Sequence, residues 1–559
     1  MSTISIGEYI LNRIKELCID TVFGVPGDFN MPLLDLIDYD SELVWCSSAN
    51  ELNASYAADG YSRVRGISAL VTSFGLGELS SMNGLAGSYS EMVPVIHIVG
   101  TPRTIVSDSS VTQSHAVGNG DYDIFYKMSS MISAASTNVT LVDAIEEIDR
   151  VIQTAVINKR PGYIGIPINL IHARVEVPKI IPLQLSSPKN PEELQSVALK
   201  QILKEIKAAK YPIVIVGGCI LRHGLEIEVN KFVERSGFPT FSAPMGKGSV
   251  NTELANYRGI YCCDEVSLSG IEAEIQKADL LIEIGSIKAD FNTGHFSFGP
   301  ERTKTISLNS RITIIYHAEY PGVGMHELLP LVTASLPTEK AQFEYSPRIR
   351  PNPIDASMNE ITHNYLWNKV PEYVGPNNII VGEIGSSEIA LFNMECPKNT
   401  IFISQILWVS TGYSVSAAVG AAMADRSRKV YLFVSNDAFL VTAQEIEVFI
   451  RQGLTPVICL LKNNNYRTEK LVHGPYCMYN NFKMWEYSRS LNFSGGNTNE
   501  NKATGRKHAI VGIEAKVNTP QEFESAMKKI TQQTDKIHFL EIVMPRTEDS
   551  CDSSLITDP

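Results

Sequence analysis

Short apolar segments that alternate with amphipathic helical stretches constrain the fold of this chain more than any other feature. Residues 21–23, 430–434 and 456–461 are almost entirely apolar and stop at glycine-containing or polar turns, whereas residues 6–17 repeat apolar side chains at helical spacing. Strands without polar alternation are typical of parallel sheets that helices cover on both faces. The pattern therefore predicts an α/β protein built from doubly wound parallel sheets.

Chain length and two polar, proline-containing stretches predict how the chain is divided. At about 150 residues per domain, a chain of 559 residues should form several domains. Residues 186–191 and 338–354 have the composition of linkers. We predict three α/β domains of similar size, in which a weak internal repeat would not be surprising, and a disordered tail. The predicted boundaries are 1–182, 192–336, 355–545 and, for the tail, 546–559.

Composition excludes several functional classes. The net charge of −13 and the lack of a basic stripe argue against direct binding to nucleic acid or to an anionic membrane. A phosphate group can still be bound locally by backbone N–H groups. The nine cysteines are scattered without a Cys-x-x-Cys pair, which argues against a zinc site and for reduced thiols. With no secretory signal and no membrane-length apolar run, we expect a cytoplasmic protein.

The most informative segment is a βαβ unit between residues 430 and 465. A strand ends in a polar turn, a helix is expected from about 442 to 452, and the next strand again ends in a polar turn. Both turns should lie at the carboxyl edge of the sheet, where α/β proteins bind ligands. Their oxygen atoms and the start of a helix could hold a diphosphate and Mg²⁺, although two ordinary polar turns would look the same. The turn residues are Ser435, Asn436, Asp437 and Ala438, then Asn463, Asn464 and Asn465.

Three residues in the first block are further candidates. Asp28 and Glu51 follow strand ends, and His115 comes directly after Ser114 in a polar loop. Each also has an ordinary structural interpretation. Asp28 could cap a helix, Glu51 could lie on a helix surface, and His115 could simply form hydrogen bonds in its loop.

Seven stretches, in this order, resemble one family. The chain is similar to the thiamine-diphosphate-dependent 2-oxo-acid decarboxylases of the pyruvate decarboxylase type, in the yeast-like branch. The resemblance implies a pyrimidine-binding first domain, a central regulatory or structural domain and a diphosphate-binding third domain. It also implies a site between two chains, hence a homodimer or homotetramer. The stretches are residues 23–30, 50–61, 118–121, 244–249, 290–294, 403–408 and 469–475.

The resemblance assigns roles to individual residues. Glu51 matches the carboxylate that hydrogen-bonds the aminopyrimidine ring of the cofactor, and Asp28, His115 and Glu469 match acid–base groups, with Ser114 beside them. The positions that match cofactor-binding residues are Ser386, Val409, Thr411, Ser435, Asn436, Asp437, Ala438, Asn463 and Asn465, and the implied Mg²⁺ ligands among them are Asn436, Asn463 and Asn465.

The same positions depart from the family pattern. Ser114 replaces a histidine, Asn436 replaces the metal-binding aspartate, and Asp437 replaces a glycine beside the diphosphate. The 27 positions from Asn436 to Asn463 fit an alignment without gaps, whereas a shift of one residue would make Asp437 the metal ligand.

Five further departures concern the metal, the cofactor ring and the substrate. Val409 and Asn465 replace glycines, Thr411 replaces a bulky aliphatic residue, and Ser386 replaces a threonine. Thr468 occupies a position that is usually aliphatic in the substrate pocket. With these changes, aromatic and branched 2-oxo acids remain candidate substrates in addition to pyruvate.

Three hypotheses follow. The chain is an active decarboxylase that releases CO₂ and an aldehyde from a 2-oxo acid, with pyruvate as the default substrate. Alternatively, it is a weak or inactive relative that senses thiamine diphosphate as a regulator, a role that would also allow a nuclear location. Third, it is a partner that assembles with an active isoform.

Overall fold

The computed structural model describes most of the chain. The described residues are 2–107, 112–177, 181–262, 267–268, 270–294, 296, 304–337, 343, 345, 354, 359–462, 483–496 and 508–545. Within them, three sheets of six or seven strands are each flanked by helices, as the apolar strand pattern predicted. No helix in this part of the chain is both long and apolar enough to cross a membrane.

The first domain contains a parallel six-stranded sheet of order β3-β2-β4-β5-β7-β6 and a small antiparallel pair, β1-β8. Its strands are β1 (Ser2–Ser5), β2 (Thr21–Gly24), β3 (Val44–Ser47), β4 (Ser68–Ser73), β5 (Val95–Thr101), β6 (Ala135–Asn138), β7 (Gly162–Pro167) and β8 (Arg174–Val177). Its helices are α1 (Ile6–Glu16), α2 (Met31–Tyr39), α3 (Glu51–Arg65), α4 (Leu76–Ser90), α5 (Thr104–Ser107), α6 (Ile124–Ser130) and α7 (Ala144–Asn158).

The middle domain has a sheet of order β11-β10-β9-β12-β13-β14-β15, in which β13, β14 and β15 pair antiparallel. The prediction of parallel sheets is therefore too simple here, because tight turns between these edge strands make crossover helices unnecessary. The strands are β9 (Pro212–Val216), β10 (Thr240–Ser242), β11 (Tyr257–Ile260), β12 (Leu280–Ile284), β13 (Lys304–Leu308), β14 (Ile312–Ile315) and β15 (Ala318–Pro321). The helices are α8 (Glu192–Ala208), α9 (Cys219–His223), α10 (Glu226–Ser236), α11 (Ile271–Ile275) and α12 (Met325–Ser335).

The third domain has a parallel sheet of order β17-β16-β18-β19-β21-β20. Its strands are β16 (Ile379–Gly382), β17 (Ile401–Ile403), β18 (Val430–Ser435), β19 (Val457–Lys462), β20 (Ile510–Val517) and β21 (Lys536–Val543). Its helices are α13 (His363–Tyr373), α14 (Ser386–Asn393), α15 (Tyr413–Ala424), α16 (Asn436–Thr442), α17 (Ile446–Arg451), α18 (Ser490–Phe493) and α19 (Pro520–Thr531).

The main sheets of the first and third domains have the same strand order. In both, the second strand along the chain lies at one edge, and the first and third strands are neighbours in the sheet. The chain therefore crosses the sheet in opposite directions after these two strands, which opens a crevice at their carboxyl ends. The turns after β2, β4, β16 and β18 all lie at such crevices. The first and third domains thus share a strand order that the middle domain lacks, and the internal repeat in sequence stays a prediction.

Helices α3 and α15 join the first and third domains at very short range. A Cβ atom added to Gly60 would lie 2.1 Å from the carbonyl oxygen of Ala417, and one added to Gly420 would lie 1.8 Å from that of Ala57. Backbones can approach this closely only where glycine leaves out the side chain. The apolar core is continuous across this contact, so the two domains form one packed unit.

Two local predictions need correction. The helix expected from about 442 begins at Asn436 and is divided into α16, a short 3₁₀ turn at Ala443–Glu445, and α17, because the polar turn residues already form the first helical turn. Asp28 does not cap a helix, because the residue before α2 is Asn30. The predicted domain boundaries stay predictions, and the linker at 338–354 and the tail at 546–559 lie largely or wholly outside the described residues.

Candidate active site

The turn after β2 presents Asp28 to solvent beside a buried aromatic residue. Asn30 fixes this turn, since its carboxamide accepts a hydrogen bond from Gly27 N–H and donates one to the carbonyl of Val25. Between them Phe29 is buried, and its ring packs edge to face against the imidazole of His115 with the ring centroids 5.7 Å apart. Asp28 and His115 are thus brought to one side of the first domain.

His115 lies in a strained part of the loop after β5. Its φ is +73°, a region that few residues other than glycine adopt, and Ser114 before it is exposed. Its Nδ1 is buried and has no hydrogen-bond partner in the described structure. Such strain and an unsatisfied ring nitrogen are common where a side chain is held for a ligand rather than for stability.

Glu51 is the first residue of α3, and it is half-buried. Asn50 caps this helix by accepting a hydrogen bond from Asn53 N–H at 2.8 Å. The turn that enters α4 separates Glu51 from His115. A Cβ on Gly77 would lie 3.0 Å from Glu51 Oε1, and a Cβ on Gly75 would lie 2.2 Å from the carbonyl oxygen of His115. Glu51 and His115 therefore lie on either side of the 75–77 turn.

The third domain contributes the turn after β18. Ser435 ends the strand, and α16 begins at Asn436, whose side chain is fully buried. The amide group of Asn436 has protein neighbours: its Nδ2 lies 3.7 Å from Met484 Sδ, and Tyr487 is a hydrogen-bond partner of the side chain. The first N–H groups of α16 have no acceptor within the helix and suit an anion.

Asp437 differs from its neighbour. Its Oδ1 is buried and has no hydrogen-bond partner in the part of the chain that the structure describes. Its charge affects the buried carboxylate of Glu383, which follows β16. Glu383 accepts hydrogen bonds from Gly412 N–H at 2.9 Å and from Ser414 N–H at 3.0 Å. Burial, together with a smaller effect of the negative charge of Asp437, raises the pKa of Glu383 to about 7 in spite of these hydrogen bonds.

The segment before α15 contains the candidates for the cofactor ring. Val409 has a φ of +50°, although a β-branched side chain disfavours this conformation, and Thr411 is exposed. The segment is fixed at Leu407, whose N–H donates to the buried Glu91 at 2.5 Å. Ser386 begins α14 near Glu383, and its side chain lies outside the described part of the structure.

Several predicted residues lie outside the described residues. These are Glu469, Asn463, Asn465, Asn464 and Thr468. Strand β19, which precedes them, ends at Lys462 and pairs parallel with β18, so the chain leaves the sheet at the same edge as the turn at Ser435. Their roles remain predictions.

Sequence reasoning missed several buried carboxylates. Glu383 follows a strand end, as Asp28 does, and could have been found by the same criterion. Glu91 and Glu445 carry no such signal, because their partners come from distant segments. Glu91 accepts from Leu407, and Glu445 accepts from Asn53 Nδ2 at 2.9 Å.

Comparison with known proteins identifies the family. Three family models match the chain: "Thiamine pyrophosphate enzyme, N-terminal TPP binding domain" over residues 4–120, the "central domain" over 199–326 and the "C-terminal TPP binding domain" over 383–542. The chain is 38% identical to a pyruvate decarboxylase of Hanseniaspora uvarum over 500 residues, 88% of each chain. It is 35% identical to pyruvate decarboxylase isozyme 3 of Saccharomyces cerevisiae over 554 residues, 98% of this chain and 96% of the other.

The chain belongs to the pyruvate decarboxylase family. Membership confirms the predicted resemblance, the three α/β domains of the thiamine diphosphate enzymes, and decarboxylation of 2-oxo acids with thiamine diphosphate as the family chemistry. It does not test the site residues one by one.

The residues of the third domain can be compared with what the cofactor of a pyruvate decarboxylase needs. A diphosphate bound through a divalent cation requires an oxygen ligand near a helix start, and the unpartnered Oδ1 of Asp437 is such an oxygen. The contact of Asn436 with Met484 uses the amide nitrogen and not the oxygen that a cation would need. The site therefore fits the group, with side-chain oxygens at both Asn436 and Asp437 beside the start of α16.

Proposed function

We propose that this chain decarboxylates a 2-oxo acid to an aldehyde and CO₂ with thiamine diphosphate and Mg²⁺, and that pyruvate is the first substrate to test. One arrangement carries the proposal: Asp28, Glu51 and His115 come from three separate segments and gather around the 75–77 turn and Phe29. These are the side chains that proton transfer in this family chemistry requires.

Each side chain has a defined part in this proposal. When bound, thiamine diphosphate supplies the carbon nucleophile and the electron sink for loss of CO₂. Glu51 would hold a proton at the aminopyrimidine ring, and His115 would exchange a proton with substrate through Nδ1, which has no partner among the described residues. Asp28 and Glu469 would complete the acid–base set, while exposed Ser114 would hold water where the family has a second histidine.

Two ligand sets are proposed for Mg²⁺. Both contain Asn463 and the Asn465 carbonyl, and they differ in the third ligand. The spacing of the motif favours Asn436, whereas the unpartnered oxygen favours Asp437. One substitution separates these sets. Asp437→Asn should weaken cofactor binding if Asp437 binds the metal, but strengthen it if Asp437 only repels the diphosphate.

A second candidate function is a thiamine diphosphate sensor with little catalysis. It is favoured by the added carboxylate at Asp437 and by the strained Val409, both at positions that match cofactor-binding residues of the family. A chain of this kind would act through partners, and its nearly full family length is compatible with mixed assemblies with an active isoform.

We further propose that the site is completed by a second chain. Within one chain, the first and third domains meet through Tyr56 and Ser410, which are hydrogen-bonded, and through Asn53 and Glu445. Apolar side chains are exposed beside both halves of the site, which is typical of an interface. They are Leu76 and Leu79 in the first domain and Trp408 and Val441 in the third.

The decisive experiment titrates the purified protein with thiamine diphosphate and Mg²⁺ and then measures CO₂ release from pyruvate, phenylpyruvate and a branched 2-oxo acid. We expect binding and CO₂ release. Binding without CO₂ release would support the sensor, and no binding at millimolar cofactor would exclude both functions. The variants Asn436→Asp and Asp437→Asn, with wild type as reference, assign the metal ligand by calorimetric affinity alone.

A further inference from the structure

One buried carboxylate beside the candidate site has no part in the proposed chemistry. Glu78, in the first turn of α4, is fully buried. Its Oε1 accepts a hydrogen bond from Gly75 N–H at 2.9 Å, and its Oε2 accepts one from Tyr163 OH at 3.0 Å. Glu78 therefore ties the 75–77 turn to β7 of the sheet.

The turn that it holds packs closely against both candidate residues. Gly75 has a φ of +71° and lies against the carbonyl of His115, and Gly77 lies against the carboxylate of Glu51. A shift of this turn would change the separation between Glu51 and the loop that carries His115.

The anchor on the other side is rigid. Tyr163 lies on β7 opposite His97 on β5, and their rings pack edge to face with centroids 5.5 Å apart. His97 Nε2 is in turn 2.8 Å from Thr72 Oγ1 on β4. The neighbouring strands β4, β5 and β7 thus fix the Tyr163 hydroxyl that donates to Glu78.

Helix capping alone does not explain Glu78. A glutamate at this helical position commonly reaches back to the N-cap N–H, and such a cap contributes modestly to stability. Capping glutamates need no burial, whereas burial here raises the pKa of Glu78 to about 7 against the opposing hydrogen bonds from Gly75 and Tyr163. A buried carboxyl group of this kind is poorly explained by stability.

We propose that Glu78 is a positioning residue that holds the 75–77 turn, and through it sets the placement of Glu51 and His115 relative to each other. The expected changes in kcat rest on the proposed decarboxylase function. The structural part, that Glu78 immobilises the turn, holds in the protein without cofactor or substrate.

The test compares Glu78→Ala with Glu78→Gln, which keeps an acceptor for Gly75 N–H. We expect Glu78→Ala to lower kcat about 100-fold, as small misplacements of catalytic groups do, with KM changed less than about threefold. Glu78→Gln should recover most of kcat. By hydrogen-exchange mass spectrometry of the cofactor-free protein, Glu78→Ala should exchange the amides of residues 75–77 at least about tenfold faster than wild type.

Glu274→Gln is the matched control, because Glu274 is also buried, is paired with Arg258 in the middle domain, and lies far from the turn in the fold. It should lose stability without faster exchange at 75–77. Unchanged exchange in Glu78→Ala, or an equal loss of kcat in Glu274→Gln, would overturn the positioning role. If wild type releases no CO₂ from any 2-oxo acid, the proposed function fails, and the exchange measurement alone decides the role of Glu78.

Discussion

Val409 stands in a backbone conformation that its own side chain opposes. Its φ of +50° lies in the left-handed region, where a β-branched residue is a clear outlier and where strain is of the order of 1–3 kcal/mol. Neighbouring contacts impose the conformation, since Glu91 accepts from Leu407 N–H and Gln405 accepts from Ser410 N–H at 2.8 Å. The valine is therefore tolerated in a backbone shaped for glycine.

A pair of substitutions tests this interpretation. Val409→Gly and Val409→Ala both remove the isopropyl group, so their difference reports the backbone alone. We expect the glycine variant to be more stable by about 1 kcal/mol, because alanine retains the left-handed penalty. Urea unfolding measures the difference. In the buried helix α15, Val415→Gly should instead be less stable than Val415→Ala, and the same order at position 409 would contradict the strain.

At the level of elements, helix α14 places the acidic side chain of Glu388 in the interior of the protein. Glu388 is almost fully buried and is hydrogen-bonded by Ser404. Burial raises the pKa of Glu388 to about 8, the Ser404 hydrogen bond lowers it, the charges of Glu91 and Glu383 raise it, and Arg63 lowers it. The folded state is therefore most stable when the Glu388 carboxyl group is protonated and neutral.

This carboxyl group should make stability depend on pH. Because the folded pKa of about 8 exceeds the ordinary value of 4.5, the stabilisation is fully present below pH 4.5 and is lost as pH rises to about 8. The free energy of unfolding should fall by up to about 1.4 kcal/mol per pH unit from this group. Denaturant midpoints from pH 5 to 8 should fall less steeply in Glu388→Gln. The exposed Glu319→Gln is the control, and parallel slopes in all three proteins would contradict the prediction.

At the scale of the whole molecule, two domains with the same strand order are locked together by α3 and α15, and the middle domain lies between them in sequence. Each of the two contributes a different half of the proposed site. Asp28, Glu51 and His115 belong to the first domain, and the diphosphate turn belongs to the third. Sites divided in this way suit a symmetric dimer, in which each half can face the other half of the partner chain.

Complementation between inactive variants tests this arrangement. Glu51→Gln removes the carboxylate of the first domain, and Asn436→Ala with Asp437→Ala disables the turn of the third. If sites form between chains, co-expressed and co-purified mixed dimers should regain CO₂ release, because one of their sites escapes both changes. Assemblies of either variant alone are the controls. Mixed dimers without activity, beside an active wild type, would show that each site lies within one chain.

Local chemistry made part of the site predictable. Asp28 and Ser435 follow apolar strands, and the carboxyl ends of parallel strands are recognisable as ligand edges. The packing of His115 on Phe29 and the role of the 75–77 turn were not predictable, because residues far apart in sequence meet there. The helix at Asn436 was also missed, since polar residues at a strand end are as typical of a turn as of a first helical turn.

The sequence by itself determined the α/β class, the family and the positions where its cofactor motifs have changed, because apolar periodicity and motif order are local properties of the chain. Only the tertiary structure decided which polar atoms have partners. Asn436 and Asp437 are neighbours in sequence, yet Asn436 Nδ2 contacts Met484 Sδ, whereas Asp437 Oδ1 has no hydrogen-bond partner among the residues that the structure describes. Hydrogen-bond satisfaction in a buried site depends on segments that fold together from distant parts of the chain, so no local pattern encodes it.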